Sequence, residues 1–91
     1  MRATDDEARR RVLNRLRRAR GQLDAVIEAV ECQQPCRDVI TQLAAVSSAL
    51  DRAGYTIIAT AMKGCVADAD GVNQDEGITT EELERLFLSL S

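Results

Sequence analysis

The sequence predicts an all-α chain of three helices, and three observations carry that expectation. Apolar residues recur at steps of three and four over long stretches, a single proline stands between two of them, and no run alternates as a strand does. Ninety-one residues support one domain, 1–91, and a domain of that size buries too little surface to be stable without help. Three cysteines, an odd number, make a poor disulfide scaffold, so the expected help is oligomerisation.

The first helix is expected over about residues 5–31. Thr4 and Glu7 fit a capping box at its start, and Val12, Leu16, Ala19, Leu23, Val26 and Val30 follow at nearly heptad spacing. The run Cys32-Gln33-Gln34-Pro35-Cys36 ends the pattern, because proline cannot sit in a helix interior but suits the first turn of the next helix. A tight helical hairpin is the consequence. The second helix is expected over about 36–67, with Val39, Ile40, Leu43, Val46, Leu50, Ala53, Ile57, Ala61 and Cys65 on a broad apolar face interrupted by Gly54. Residues from about 68 to 78 read as an acidic, polar loop with two glycines that does not meet the ligand spacing of a calcium loop. Thr79 and Glu82 give a second capping box, opening a third helix over about 80–90 whose stripe is Leu83, Leu86, Phe87 and Leu90.

Cys36 and Cys65 are twenty-nine residues apart on the expected second helix. At 100° per residue that step returns nearly to the starting face, yet the rise separates the two by about 43 Å, far beyond the reach of a disulfide or a shared metal. They cannot meet within one chain. If two copies pack antiparallel about a two-fold axis near Leu50 and Asp51, Cys36 of one copy comes level with Cys65 of the other, giving two shared sites per dimer. The bland alternative is that these cysteines are inert buried hydrophobes, and Cys65 does lie on the apolar face. Cys36 stands at a helix start, where unpaired N–H groups favour a thiolate, while the neighbouring charges of Asp38 and Glu31 oppose it; its position makes it the candidate attacking nucleophile.

The net charge of −3 conceals an asymmetry. Residues 1–20 hold eight arginines against three acids, a balance of +5, while residues 21–91 come to −8. Attraction to phosphate is local, within roughly 8–10 Å, so a basic first helix suits a polyanion even in an acidic chain. A merely solvated charged face is the alternative. The chain has no histidine, which removes the commonest general base and transition-metal ligand, and no enzymatic role is expected. Tyr55 and Phe87 are the only aromatics, too few to stack single-stranded nucleic acid. Without a leader pattern or an apolar run of membrane-spanning length, the chain reads as soluble and cytoplasmic, with reduced thiols.

The stretches Arg15-Leu16-Arg17-Arg18-Ala19-Arg20-Gly21-Gln22-Leu23, Asp38-Val39-Ile40-Thr41-Gln42-Leu43-Ala44-Ala45-Val46, Ser48-Ala49-Leu50-Asp51 and Gly64-Cys65-Val66, with the cysteine turn at Cys36, resemble the CsoR/RcnR family of bacterial transcriptional repressors. The likeness covers about residues 5–67. It implies an antiparallel four-helix-bundle dimer, assembled as a dimer of dimers, that releases double-stranded operator DNA when an inducer occupies the shared site. It further implies Arg15 and Arg52 as DNA contacts; Arg17 and Arg18 join them on charge alone.

Branches of that family differ at the sensing positions. The copper(I) branch adds a histidine four residues before the second cysteine, where this chain has Ala61 with Met62 beside it. Two cysteines without histidine are similar to the CstR branch, which senses persulfides and polysulfides through di- or polysulfide links between subunits. The resulting expectation is a repressor sensing reactive sulfur through Cys36 and Cys65′, the prime marking a second subunit, with no cofactor. Copper(I) bound by the same two thiolates is the alternative, with Met62 and Cys32 as further soft donors. A thiol oxidoreductase or sulfur carrier, and a purely structural helical adaptor, are readings of other classes. Cys32 has no counterpart in the family pattern and is at most an accessory thiol. Glu81 is left outside the site.

Overall fold

The computed structural model describes residues 6–68, 70–74 and 76–90. Helix α1 spans Asp6–Glu31 and helix α2 spans Cys36–Ala67; a two-strand hairpin, β1 (Val72–Asn73) and β2 (Ile78–Thr79), leads into helix α3 (Thr80–Ser89). The three helices fall where periodicity put them. The proposed Thr4 cap lies outside the described residues. At the start of α1, Asp6 and Glu7 face the positive end of the helix dipole, and exposed Glu7 pairs with Arg11 one turn on at 3.4 Å, a contact worth a few tenths of a kcal/mol.

The turn between α1 and α2 is built by backbone geometry. Gln33 takes a left-handed φ of 57°, its N–H donates to Val30 O at 3.1 Å, and the Gln34 N–H donates to Ala29 O at 2.9 Å. That pair of bonds is the Schellman arrangement, with glutamine where glycine is usual. Pro35 then precedes the first helical residue, Cys36, and its carbonyl accepts from the N–H groups of Asp38 and Val39 at 3.0 and 3.2 Å. Proline thus stands at the N-cap rather than inside the first turn.

Packing divides the apolar face into two rows. Val12, Ala19 and Val26 of α1 and Val46 and Ala53 of α2 are buried between the two helices. The larger side chains one step round, Leu16, Leu23 and Val30 on α1 and Leu43, Leu50 and Ile57 on α2, remain exposed, with Leu43 and Leu50 at 50% and 48%. Small residues inside let the backbones approach closely; the bulkier ones are left partly open to solvent. The molecule measures 55 × 25 × 13 Å, so in its thinnest direction it is about one helix deep. Its accessible surface of 6677 Å² exceeds by roughly 1,400 Å² what a compact monomer of this mass exposes.

The segment after α2 departs from the expected loop. Val72 pairs with Thr79 and Asn73 with Ile78 in an antiparallel ladder, flanked by Gly71 and Gly77 at φ 70° and 64°. Two-residue strands are too short to leave an alternating pattern; Gly77 supplies a left-handed bend in the turn between them, and Gly71 another where the chain enters β1. Asp68 organises the approach, accepting from the Asp70 N–H and from Gln74 Nε2, both at 2.8 Å. Thr79 caps α3 as its spacing suggests, accepting from the Glu82 N–H at 3.2 Å. Of the expected α3 stripe, Leu83 alone is buried; Phe87 meets Tyr55 with ring centroids 5.5 Å apart, and Leu90 lies over Gly54.

Candidate sensing and nucleic-acid sites

Both Cys36 and Cys65 lie on α2, an unbroken helix of 32 residues. Twenty-nine steps of helical rise hold them about 43 Å apart, so a bond between them within one chain is excluded by the rigidity of the element that carries them. All three cysteines are free thiols. Their surroundings differ. Cys36 is exposed at the first position of α2, and Cys32 is exposed just after α1.

Cys65, in contrast, is only 1% exposed. Its Sγ donates to the carbonyl oxygen of Ile78 in β2 at 3.5 Å, a long, weak bond of the kind sulfur makes. Asn73 of β1 lies beside it, 6% exposed, and its Nδ2 donates 2.8 Å to Ala61 O. Its Oδ1 accepts from the Glu76 N–H at 3.0 Å. Gly64 makes that approach possible, because a Cβ there would stand 2.6 Å from the Asn73 side-chain carbon. The hairpin therefore covers Cys65 and reaches Ala61, one turn before it on α2.

Among the described residues no group of three or more His, Cys, Asp or Glu side chains in one chain is placed to hold a metal. Thiolates and thioethers are soft donors of the kind that suit copper(I), and Cys36, Cys65, Cys32 and Met62 are side chains of that type. Met62 is half-buried on α2, and Glu81 is exposed in the first turn of α3.

The structure brings three of the four nominated arginines together. Arg15 and Arg18 of α1 and Arg52 of α2 line one cleft of about 280 Å³ with Gln22, Ala45, Ser48 and Ala49. Arg17 is exposed but is not part of that cleft. Ser48 and Gln22 add hydrogen-bonding groups beside three fixed positive charges, a surface suited to the phosphate and sugar contacts that orient a protein on a duplex. Sequence reasoning missed Gln22 as a site residue. Its Oε1 is buried without a hydrogen-bond partner, and the same side chain lines a second cleft of about 420 Å³ with Ala25, Glu28, Ala29, Cys32, Gln34, Gln42 and Ala45. Its position next to Gly21 in a basic helix was visible in the sequence; its contact with both clefts required the fold.

Residues 8–89 match the family model described as metal-sensitive transcriptional repressor. The chain belongs to this family. The copper-sensing transcriptional repressor CsoR of Mycobacterium ulcerans (strain Agy99) is 40% identical over 70 residues, covering 75% of this chain and 60% of the relative. The proteins of the same name from Mycobacterium bovis (strain BCG / Pasteur 1173P2) and Mycobacterium tuberculosis (strain ATCC 25618 / H37Rv) are 37% identical over 68 residues, covering 72% of this chain and 57% of theirs. The chain thus spans about 60% of the length of these curated relatives. No solved structure matches it. Membership extends the likeness seen in residues 5–67 through the hairpin and α3, agrees with a repressor rather than an enzyme, and places the chain in a group described as metal-sensitive. Among the described residues no helix is long and apolar enough to cross a membrane.

Proposed function

We propose that this chain is a DNA-binding transcriptional repressor that senses reactive sulfur through Cys36 of one subunit and Cys65 of another, and releases its operator when they become linked. The observation that carries the reading is the pair of thiols at opposite ends of one 32-residue helix in a chain without histidine. Thiol–disulfide exchange needs only two sulfurs able to approach, and an antiparallel pairing of α2 helices supplies that approach. The exposed row Leu43, Leu50 and Ile57 supports the pairing, since it runs down α2 between the cysteines. An excess surface of roughly 1,400 Å² exceeds the roughly 800 Å² that one partner buries in a standard interface, which fits a chain with more than one neighbour, as in a dimer of dimers.

The chemistry balances with a low-molecular-weight persulfide, RSSH. The exposed Cys36 thiolate attacks the terminal sulfur, breaking the S–S bond, so that Cys36 becomes a persulfide and RS⁻ leaves. The Cys65′ thiolate then attacks the inner sulfur, forming Cys36–S–S–Cys65′ and expelling HS⁻. Two thiols are oxidised and one sulfane sulfur is reduced to sulfide. A linked pair of α2 helices has a fixed register, and Arg15, Arg18 and Arg52 move with it. Operator affinity changes if the register that fits DNA is a different one.

Copper(I) is the second reading, and likeness favours it over sulfur: the family is described as metal-sensitive and the relatives as copper-sensing. The same two thiolates would bind the ion, without the third ligand that a histidine at position 61 would give. A gel shift on the protein's own upstream DNA separates the two inducers. A persulfide donor is expected to release the DNA and yield Cys36–Cys65′ linked dimers by mass spectrometry. Copper(I) that binds stoichiometrically against a strong chelator and dissociates the DNA would transfer the role to the metal. Recovery of Cys32–Cys36 bonds alone would defeat the sulfur reading.

A further inference from the structure

The reactive position at the far end of α2 is closed. Cys65 is 1% exposed, its thiol is turned to Ile78 O, and the strand pair β1–β2 lies across it. One side chain makes the most bonds in holding the strands there. Asn73 donates through Nδ2 to Ala61 O on α2 and accepts at Oδ1 from the Glu76 N–H, while its own carbonyl accepts from the Gly77 N–H at 2.7 Å. One residue therefore ties α2, β1 and the hairpin turn together. It fits only because position 64 has no side chain: a Cβ on Gly64 would overlap the Asn73 amide nitrogen. A glycine in a helix interior costs roughly 1 kcal/mol relative to alanine, and here that cost admits the asparagine.

We propose that the β1–β2 hairpin is a cover over Cys65, latched by Asn73 in the notch at Gly64, and that Cys65 reacts only when the latch leaves Ala61. Other anchors of the C-terminal segment are the Gln74 bond to Asp68, the buried Leu83, and, farther back along α2, the contacts of Phe87 with Tyr55 and of Leu90 with Gly54; the last two hold the end of α3 when the hairpin opens. The proposal rests on the reading of Cys65 as a sensing thiol and adds a regulation to it. Linking Cys65 to anything bulkier than hydrogen, a partner sulfur or a metal, is incompatible with its contact to Ile78, so capture of the inducer and closure of the hairpin exclude each other. The inducer's work then includes releasing Asn73. Variation at Asn73 and Gly64 tunes the response without touching either sulfur.

Alkylation of the reduced full chain with iodoacetamide, read peptide by peptide by mass spectrometry, tests this without inducer or DNA. Cys32 and Cys36 are expected to react as open thiols and Cys65 at least about ten-fold more slowly, as for a group reached through a minor open state. Asn73→Asp removes the donor to Ala61 and keeps the acceptor for Glu76; it should speed Cys65 about ten-fold, the scale of one buried hydrogen bond, with the Cys36 rate and helical content unchanged. Gly64→Ala should do the same by expelling the asparagine. Equal wild-type rates at Cys36 and Cys65, no change at Cys65 in either variant, or acceleration of all three thiols together would each overturn the cover. If alkylation behaves as stated and the operator still ignores every inducer, the sensing reading fails and the cover stands.

Discussion

Cys36 opens α2 on an exposed turn, whereas Cys65, about eight helical turns along, is sealed beneath a hairpin that belongs to the same chain. Spacing makes the two thiols equivalent: both lie on one face, and an antiparallel pairing sets each opposite the other. Burial makes them different. On the proposed sensing reading, an inducer would meet Cys36 first, and the second bond would wait on a local opening at Cys65′. The proposed site, symmetric across a dimer, would then be ordered in time, with the accessible thiol capturing and the covered one completing.

The sharpest way to break this comparison is to remove either sulfur. Cys36→Ser and Cys65→Ser should each abolish inducer-driven release in a gel shift while preserving operator binding; a variant that still releases DNA fully would show that the other thiol suffices alone. Next in size is the surface between the two ends. Leu50→Glu, in the exposed row where a two-fold axis would cross α2, should shift the assembly to monomer by at least about ten-fold in dissociation constant, since a leucine is worth roughly 1.5–3 kcal/mol when buried and the axis places it twice. Analytical ultracentrifugation reads that directly, and an unchanged mass would move the interface elsewhere. The smallest effect concerns the cleft of arginines. Arg15→Ala should weaken operator binding and lower the log–log salt slope by about one for each phosphate left without its arginine, with thiol linkage intact. An unchanged slope would exclude Arg15 as a phosphate ligand.

The helices were legible because their periodicity is long and regular, and the Thr79 cap because its partner lies three residues away. What escaped the sequence depended on distant or unusual partners. Gln33 carries the left-handed turn that glycine normally marks, so no residue type announced it. The burial of Cys65 comes from Asn73 and Ile78, which sit in what reads as an acidic loop. Gly64 looked like part of a family motif, and its purpose as a notch appears only once Asn73 is folded against it. The apolar face, expected as one broad stripe, splits into a buried row of Val and Ala and an exposed row of mostly larger side chains, Leu and Ile with Val30. Steps of three and four generate both rows, and a two-helix hairpin has material to cover only one. The two cysteines stand out by their spacing and by the family likeness, and the structure sets both on one unbroken helix.

The central claim is that each site takes one thiol from each of two subunits, and mixing two defective chains tests it most directly. In an antiparallel pair of Cys36→Ser and Cys65→Ser subunits, one shared site loses both sulfurs and the other keeps both. With the two chains tagged to differ in mass, persulfide treatment of the mixture should give a covalent heterodimer joined through Cys36 and Cys65, absent from either variant alone. A mixture that yields no such heterodimer would contradict the account.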